Sequence, residues 1–146
     1  GGAARGAAYA LAEAGAKLSI TGRNVDRVRV LARASGAELL TRQQAEARKF
    51  DVLVHATPLG MYPRTDQCFF NGRIPAEMVF DMVYNPLDTV LLRKARSQGA
   101  ETISGLEMFI EQASRQFEIW TEQRAPRAVM EQAAMEALEA RAAGRL

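Results

Sequence analysis

The hydrophobic pattern alternates between two kinds of segment along the chain. Helical periodicity or helix-forming composition predicts helices at residues 3–14, 24–34, 42–48, 87–98, 104–122 and from 126 to about Gly144. Short apolar, often β-branched runs predict strands at 17–21, 38–40, 51–55, 78–83 and 101–103. Helices that alternate with short buried strands predict an α/β domain with a parallel sheet and crossover helices.

Residue types suited to helix ends support these boundaries. Gly15 follows the first helix, where a C-terminal glycine belongs, and Asn24 or Asp26 can cap the second. Ser104 and Glu107 have the spacing of a capping box for the long helix that follows. The apolar positions of that helix share one stripe, which is expected to be buried: Leu106, Phe109, Ile110, Ala113, Phe117 and Trp120.

Composition excludes several classes of protein. The 146 residues, 48% hydrophobic and 25% charged, suit one ordinary globular domain, and no apolar run approaches the roughly 18 to 20 residues of a membrane span. Cys68 and His55 are the only residues of their types, which argues against an internal disulfide and a zinc site. The net charge of +2 is dispersed, so no nucleic-acid partner is expected. We expect a cytoplasmic protein that binds no membrane.

A glycine-rich turn opens the chain. Gly1, Gly2 and Ala3 lead directly into the first predicted helix, and such a turn presents free backbone N–H groups and a positive dipole end to a phosphate. The alternatives are a flexible chain end or an ordinary helix cap. Arg5 favours the phosphate, because a cation in the first turn opposes the helix dipole unless an anion lies beside it. The turn is therefore a candidate pyrophosphate site.

A basic loop follows the first predicted strand. Arg23, Asn24 and Arg27 lie about 20 residues after the glycine turn, where a dinucleotide-binding fold reads the adenosine ribose. An acidic residue would accept the ribose hydroxyls of NAD, whereas an arginine pairs with the 2′-phosphate of NADP. The two arginines could also be ordinary solvated side chains. The order of turn, helix, strand and basic loop favours NADP as the cofactor.

Five sequence blocks together resemble shikimate dehydrogenase. They are GGAAR at residues 1–5, GRN at 22–24, ATPLGM at 56–61, DMVYNP at 81–86 and SGLEMFIEQ at 104–112. The last block is the most specific, and with Trp120 beyond it resembles the dehydrogenase half of bifunctional dehydroquinate dehydratase–shikimate dehydrogenases. The resemblance implies a Rossmann-type doubly wound parallel sheet, here with a C-terminal helical extension, as an NADP-binding domain.

The resemblance also implies an activity and a set of site residues. The activity is the NADP(H)-dependent interconversion of 3-dehydroshikimate and shikimate in aromatic amino acid (chorismate) biosynthesis. Thr57 would line the cofactor, and Met82 and Gly105 would border the nicotinamide. Tyr84 and Gln112 would reach the substrate. Arg23 and Arg27 would bind the adenosine phosphate.

Some features of the family are absent or altered. The chain begins within the glycine turn, so we expect the first strand, which is central in a doubly wound sheet, to lie upstream. The family's catalytic lysine and aspartate belong to an upstream substrate domain, and no position here matches them, so we expect the chain alone to be inactive. Because the central first strand is missing, we also expect the chain alone to be poorly stable. His55 stands where the family often has Asn, and we interpret it as a structural histidine rather than a catalytic base.

Other functions stay open at this point. A close relative of the leading hypothesis is a quinate or quinate/shikimate dehydrogenase. A non-catalytic dinucleotide-binding sensor module would share the cofactor site but lack the upstream lysine and aspartate. An interaction protein could instead use the Ala-, Glu- and Arg-rich final helix to dock on a partner.

Overall fold

The computed structural model describes residues 1–143. Within that range the helices are α1 (Gly2–Glu13), α2 (Val25–Ala34), α3 (Arg42–Glu46), α4 (Val90–Ser97), α5 (Gly105–Thr121) and α6 (Arg127–Ala142). The strands are β1 (Ser19–Ile20), β2 (Glu38–Leu39), β3 (Phe50–His55), β4 (Ala76–Asp81) and β5 (Glu101–Ile103). Gly144, predicted near the end of the last helix, lies outside the described residues. Over residues 1–143 no helix has both the length and the apolar character needed to cross a bilayer.

The strands form two parallel sheets. β1 pairs with β2, with Ser19 opposite Glu38, and the second sheet has the order β3-β4-β5. In the second sheet His55 of β3 lies opposite Asp81 of β4. Parallel strands joined by helices confirm the predicted α/β architecture, and α5 and α6 form the predicted helical extension.

An apolar slot separates the two sheets. It is walled by Ala8 and Leu11 of α1, Ile20 of β1, and Leu53 and Val54 of β3. β1 and β3 each have one hydrogen-bonded neighbour strand in the described part of the chain, so their facing edges are unpaired. The slot therefore lies where a further parallel strand would join the two sheets into one.

The main core lies between the three-stranded sheet and α4. Val79 of β4 is fully buried against Leu91, Leu92 and Ala95 of α4, and Phe70 of the preceding loop completes this cluster. α4 presents these residues on one face because they recur at helical spacing. This packing fixes the position of β4, whose carboxyl end carries several of the predicted site residues.

Two boundaries differ from the sequence prediction because polar side chains capture backbone N–H groups. β4 ends at Asp81 rather than at residue 83, since the Asp81 carboxylate accepts the Val83 N–H at 3.0 Å. α4 begins at Val90 rather than at residue 87, since the Thr89 hydroxyl accepts the Leu92 N–H at 3.2 Å and caps the helix. Tyr84 therefore lies in the loop beyond β4 instead of directly at its end.

The predicted buried stripe of α5 is partly wrong. Leu106 and Ile110 are buried, but the side chains of Phe109 and Trp120 are 39% and 77% exposed. The buried row instead continues to Ser114, four residues after Ile110, whose hydroxyl lies 3.8 Å from the Met130 sulfur of α6. The buried row of α5 therefore runs through Leu106, Ile110 and Ser114 toward α6, beside the predicted stripe.

Candidate functional site

The predicted site residues follow the carboxyl ends of the parallel strands. Thr57 follows β3, Met82 and Tyr84 follow β4, and Gly105 follows β5 at the start of α5. Carboxyl ends of parallel strands meet at one edge of a sheet, which is where open α/β sheets bind ligands. Thr21, which follows β1, and Thr57 both lie at the end of the slot between the sheets where the strands have their carboxyl ends. The structure therefore gathers residues from distant parts of the sequence along one edge.

The glycine turn provides no side-chain cap for α1. Gly1 is the N-cap residue and supplies no side-chain cap, and the first turn carries no acidic residue. A Cβ atom at Gly1 or Gly2 would meet nothing within 4 Å, so the packing of the described chain does not require glycine there. Arg5 is exposed. The turn thus offers uncapped backbone N–H groups and a nearby cation to an anion.

The basic loop lies between β1 and α2. Asn24 caps α2, because its side-chain oxygen accepts the Arg27 N–H at 3.0 Å. A Cβ atom at Gly22 would lie 2.9 Å from the Val28 side chain, so a larger residue there would require that side chain to move. Arg23 and Arg27 are exposed, and among residues 1–143 neither guanidinium has an acidic partner at ion-pair distance. Arg23 and Arg27 thus lie at the amino end of α2 without an acidic partner among the described residues.

A buried hydrogen-bond network connects the ends of β3 and β4. The Thr57 hydroxyl lies 2.6 Å from His55 Nε2, and His55 Nδ1 lies 2.8 Å from an Asp81 carboxylate oxygen. His55 is 6% exposed and Asp81 is fully buried. The Thr89 hydroxyl donates to the second Asp81 oxygen at 2.6 Å. The sequence reasoning did not single out Asp81 or Thr89, although an aspartate that ends an apolar run is a visible signal.

Gly105 brings the start of α5 against the end of β4. A Cβ atom at Gly105 would lie 2.5 Å from the Val83 carbonyl oxygen and 2.6 Å from that of Met82. Real Cβ atoms do not approach a backbone this closely, so only glycine fits. The Met82 N–H in turn donates to the His55 carbonyl at 3.0 Å. Met82 and Gly105, which the family resemblance assigned to the border of the nicotinamide, are therefore neighbours.

An aromatic pair adjoins this contact. The rings of Tyr84 and Phe109 stack with centroids 5.0 Å apart and planes 25° apart. Tyr84 is 40% exposed, which leaves a ligand access to the side chain. Gln112 is exposed and lies on α5, one turn beyond Phe109. The two predicted substrate residues thus lie on the loop after β4 and on the helix that packs beside it.

An ionic cluster next to Gln112 joins α5 and α6. Arg127 and Arg115 hydrogen-bond the Glu111 carboxylate and lower its pKa from the ordinary value of 4.5, while the charge of Arg127 adds to the effect. Glu111 reciprocally raises the pKa of Arg127. These groups are exposed, so they orient the helices more than they stabilise the fold.

One segment of the chain matches a known protein-family model. Residues 105–135 match the family model described as the shikimate 5′-dehydrogenase C-terminal domain. This segment covers α5, the turn after it and the first part of α6. It includes Gly105, Phe109 and Gln112 of the candidate site.

Individual relatives extend the similarity along the chain. The NADP(+) shikimate dehydrogenase of Methanosarcina mazei is 41% identical over 96% of this chain and 54% of its own length. The structure of the Thermus thermophilus shikimate 5-dehydrogenase with NADP(H) and shikimate has a TM-score of 0.81 and 32% identity, covering 94% of this chain and 52% of that one. Quinate dehydrogenase from Corynebacterium glutamicum in complex with NAD has a TM-score of 0.81 and 29% identity, covering 93% and 52%. The chain spans about half the length of the curated relatives it matches.

Proposed function

We propose that this chain, which matches the shikimate 5′-dehydrogenase C-terminal domain model at residues 105–135 and is similar to shikimate dehydrogenases along most of its length, is the NADP-binding half of an NADP(H)-dependent shikimate dehydrogenase. The enzyme interconverts 3-dehydroshikimate and shikimate in aromatic amino acid biosynthesis. The observation that carries this proposal is the gathering of the basic loop, Thr57, the Met82–Gly105 contact and Tyr84 along the carboxyl edge of the parallel strands.

The open features of this edge fit NADP. Arg23 and Arg27, uncommitted to acidic partners in the described chain, suit the dianionic 2′-phosphate. The uncapped amino end of α1, with Arg5 beside it, suits the pyrophosphate. Asn24 shapes the loop by capping α2, and its amide N–H₂ stays available to the adenosine end. The cofactor, when bound, supplies or accepts the hydride.

Gly105 and Met82 form the proposed nicotinamide border. Because Gly105 lacks a side chain, α5 begins directly against the backbone of Met82 and Val83, and Met82 is half-buried. A flat apolar surface at this point would hold the ring of the nicotinamide and exclude water from the hydride path. Thr57 lies on the neighbouring strand end and lines the same site.

Tyr84 and Gln112 form the proposed substrate contacts. A phenol hydroxyl and a neutral amide can both donate to and accept from the hydroxyl groups of shikimate. The stack on Phe109 limits the directions that the Tyr84 side chain can take. The two residues would therefore orient the substrate, while hydride and proton transfer need groups from outside this chain.

The slot between the sheets supports a proposal about domain organisation. We assign residues 1–146 to one NADP-binding domain that receives a parallel strand between β1 and β3 from an upstream segment. That segment would connect to a substrate domain of the same protein that holds the catalytic lysine and aspartate. The chain alone would then be inactive. The likeness to bifunctional enzymes stays a prediction, and a cytoplasmic location is part of this proposal.

Quinate dehydrogenase is the second candidate function. The similar Corynebacterium glutamicum structure supports it, and that protein is described in complex with NAD. Arg23 favours a cofactor with a 2′-phosphate, which speaks for the shikimate enzyme. A sensor module would bind the same cofactor without turnover.

A direct assay tests these functions on the full-length protein. Reduction of NADP⁺ and of NAD⁺ is followed spectrophotometrically with shikimate and with quinate as the second substrate. We expect the highest kcat/KM with shikimate and NADP⁺. A preference for quinate and NAD⁺ would favour the second candidate, and cofactor binding without turnover of either acid would favour the sensor module.

A further inference from the structure

The hydrogen bonds around the buried Asp81 carboxylate determine which nitrogen of His55 carries a proton. Asp81 is fully buried, and its carboxylate oxygens can only accept. One oxygen accepts the Val83 N–H at 3.0 Å, and the other accepts the Thr89 hydroxyl at 2.6 Å. His55 Nδ1 lies 2.8 Å from the first oxygen, so this nitrogen carries the proton.

The proton on His55 Nδ1 also determines which atom donates in the hydrogen bond between His55 and Thr57. In a neutral ring with Nδ1 protonated, Nε2 is an acceptor. With the ring neutral, the Thr57 hydroxyl, 2.6 Å away, donates its single proton to Nε2. Its oxygen also accepts the Leu59 N–H at 3.3 Å. Thr57 is left with one accepting lone pair and no proton to give.

We propose that His55 is a positioning residue that fixes the Thr57 hydroxyl as a hydrogen-bond acceptor for a donor group of the bound dinucleotide. This inference rests on the proposed cofactor site. The partner of Thr57 must carry a proton, so it is a ribose hydroxyl, the adenine N–H₂ or the carboxamide N–H₂ of the nicotinamide. A phosphate oxygen, which only accepts, does not fit.

The sheet and the hydrogen-bond network hold the His55 side chain in one orientation. His55 and Asp81 lie opposite one another on adjacent parallel strands, and Thr89 precedes the helix that packs on the core. No buried side-chain N or O atom in the described chain lacks a hydrogen-bond partner. A fully satisfied polar network holds one arrangement, because rotating any member would leave a buried group unpaired.

NADP affinity of the full-length protein, measured by calorimetry, tests the inference. Thr57→Val removes the acceptor and is expected to weaken binding roughly 2- to 10-fold, the range of one hydrogen bond, whereas Thr57→Ser retains it. His55→Leu is expected to weaken binding similarly, because the Thr57 hydroxyl then rotates freely. The double variant His55→Leu, Thr57→Val should bind no more weakly than Thr57→Val, since the two residues act in series.

Two further measurements keep the inference testable if His55→Leu does not fold. His55→Asn offers one donating and one accepting side and should keep an NADP affinity close to that of the wild-type protein. Imidazole nitrogen NMR of the wild-type protein, with the signal assigned by its loss in His55→Asn, should show the Nδ1-protonated neutral ring. An Nε2-protonated ring, or additive losses in the double variant, would overturn the inference.

A cofactor analogue distinguishes the carboxamide from the other donors. In the 3-acetylpyridine analogue of NADP a methyl ketone replaces the carboxamide, so the pyridine ring carries no N–H donor. If the carboxamide is the partner, Thr57→Val should cost no affinity for the analogue, and if a ribose hydroxyl or the adenine N–H₂ is the partner, the loss should persist. Absence of NADP binding by the wild-type protein would refute the proposed function itself, which separates that failure from failure of the His55 inference.

Discussion

Gly105 and Val83 approach so closely that a Cβ atom at residue 105 would lie 2.5 Å from the Val83 carbonyl oxygen. This contact fixes the start of α5 against the end of β4. The contact joins the segment that matches the family model, residues 105–135, to the chain just after β4, the strand that ends at the buried Asp81. The fold and the proposed nicotinamide site therefore depend on the same backbone contact.

Gly105→Ala is expected to destabilise the full-length protein by about 1–3 kcal/mol, because α5 must move away from β4 to admit the methyl group. The displacement should also lower kcat/KM. Thermal unfolding and turnover measure the two effects. Gly72→Ala is the matched control, since a Cβ atom there would meet nothing within 4 Å and the residue is exposed in the loop before β4. Equal stability of wild type and Gly105→Ala would contradict the account.

Phe109→Ala is expected to raise the KM for shikimate a few-fold and to leave NADP affinity unchanged. The stack on Tyr84 contributes roughly 0.5–1.5 kcal/mol beyond burial, and its loss frees the side chain that orients the substrate. Steady-state kinetics at saturating cofactor measure the effect. Ile119→Ala, on the same helix at a position that is 75% exposed, should change neither constant. If Phe109→Ala altered NADP affinity alone, Tyr84 would not be a substrate contact.

Acid is expected to loosen α6 from α5. The pKa of Glu111 is lowered in the folded protein by Arg127 and Arg115, so the contribution of this cluster is present above the ordinary pKa of 4.5 and is lost as the pH falls through the folded value. Hydrogen-exchange protection of α6, corrected for the intrinsic pH dependence of exchange, should therefore fall below about pH 4.5. In Glu111→Gln this step should be absent. Glu139→Gln, on the exposed surface of α6, should retain it.

The isolated 146-residue chain is expected to expose the apolar slot between β1 and β3. It should bind a hydrophobic dye and unfold with low cooperativity, because the facing strand edges lack partners. The same chain extended upstream by its natural sequence should lose the dye binding and unfold cooperatively. Cooperative unfolding of the isolated chain without dye binding would argue against the inserted strand.

Local signals predicted most of the helices and strands. Asn24 caps α2, Glu107 accepts from the Ser104 N–H at 2.9 Å, and the strand at residues 101–103 was predicted at its observed bounds. These features depend on a few neighbouring residues, so periodicity and capping chemistry reveal them. β1 was predicted at residues 17–21 but spans Ser19–Ile20, because strand length depends on pairing partners that are distant in sequence.

The sequence predictions failed, or were silent, where contacts between residues distant in sequence determine burial and pairing. Trp120 belongs to the apolar stripe by periodicity, yet it is 77% exposed because the buried row of α5 follows Ser114 toward α6. The His55–Asp81 pair joins residues 26 positions apart, and only the register of β3 with β4 brings them together. The resemblance placed Thr57 in the cofactor site, but it could not reveal which way its hydroxyl donates.

The central claim is that Arg23 reads the 2′-phosphate of NADP, and calorimetry on the full-length protein tests it most directly. Wild type should bind NADP more tightly than NAD. Arg23→Ala should weaken NADP binding about 10- to 100-fold, the range of a charge-assisted hydrogen bond, and leave NAD binding unchanged. Arg33→Ala, an exposed arginine at the other end of α2, should behave as wild type. Equal binding of NADP and NAD by the wild type, or an Arg23→Ala variant with wild-type NADP affinity, would contradict the account.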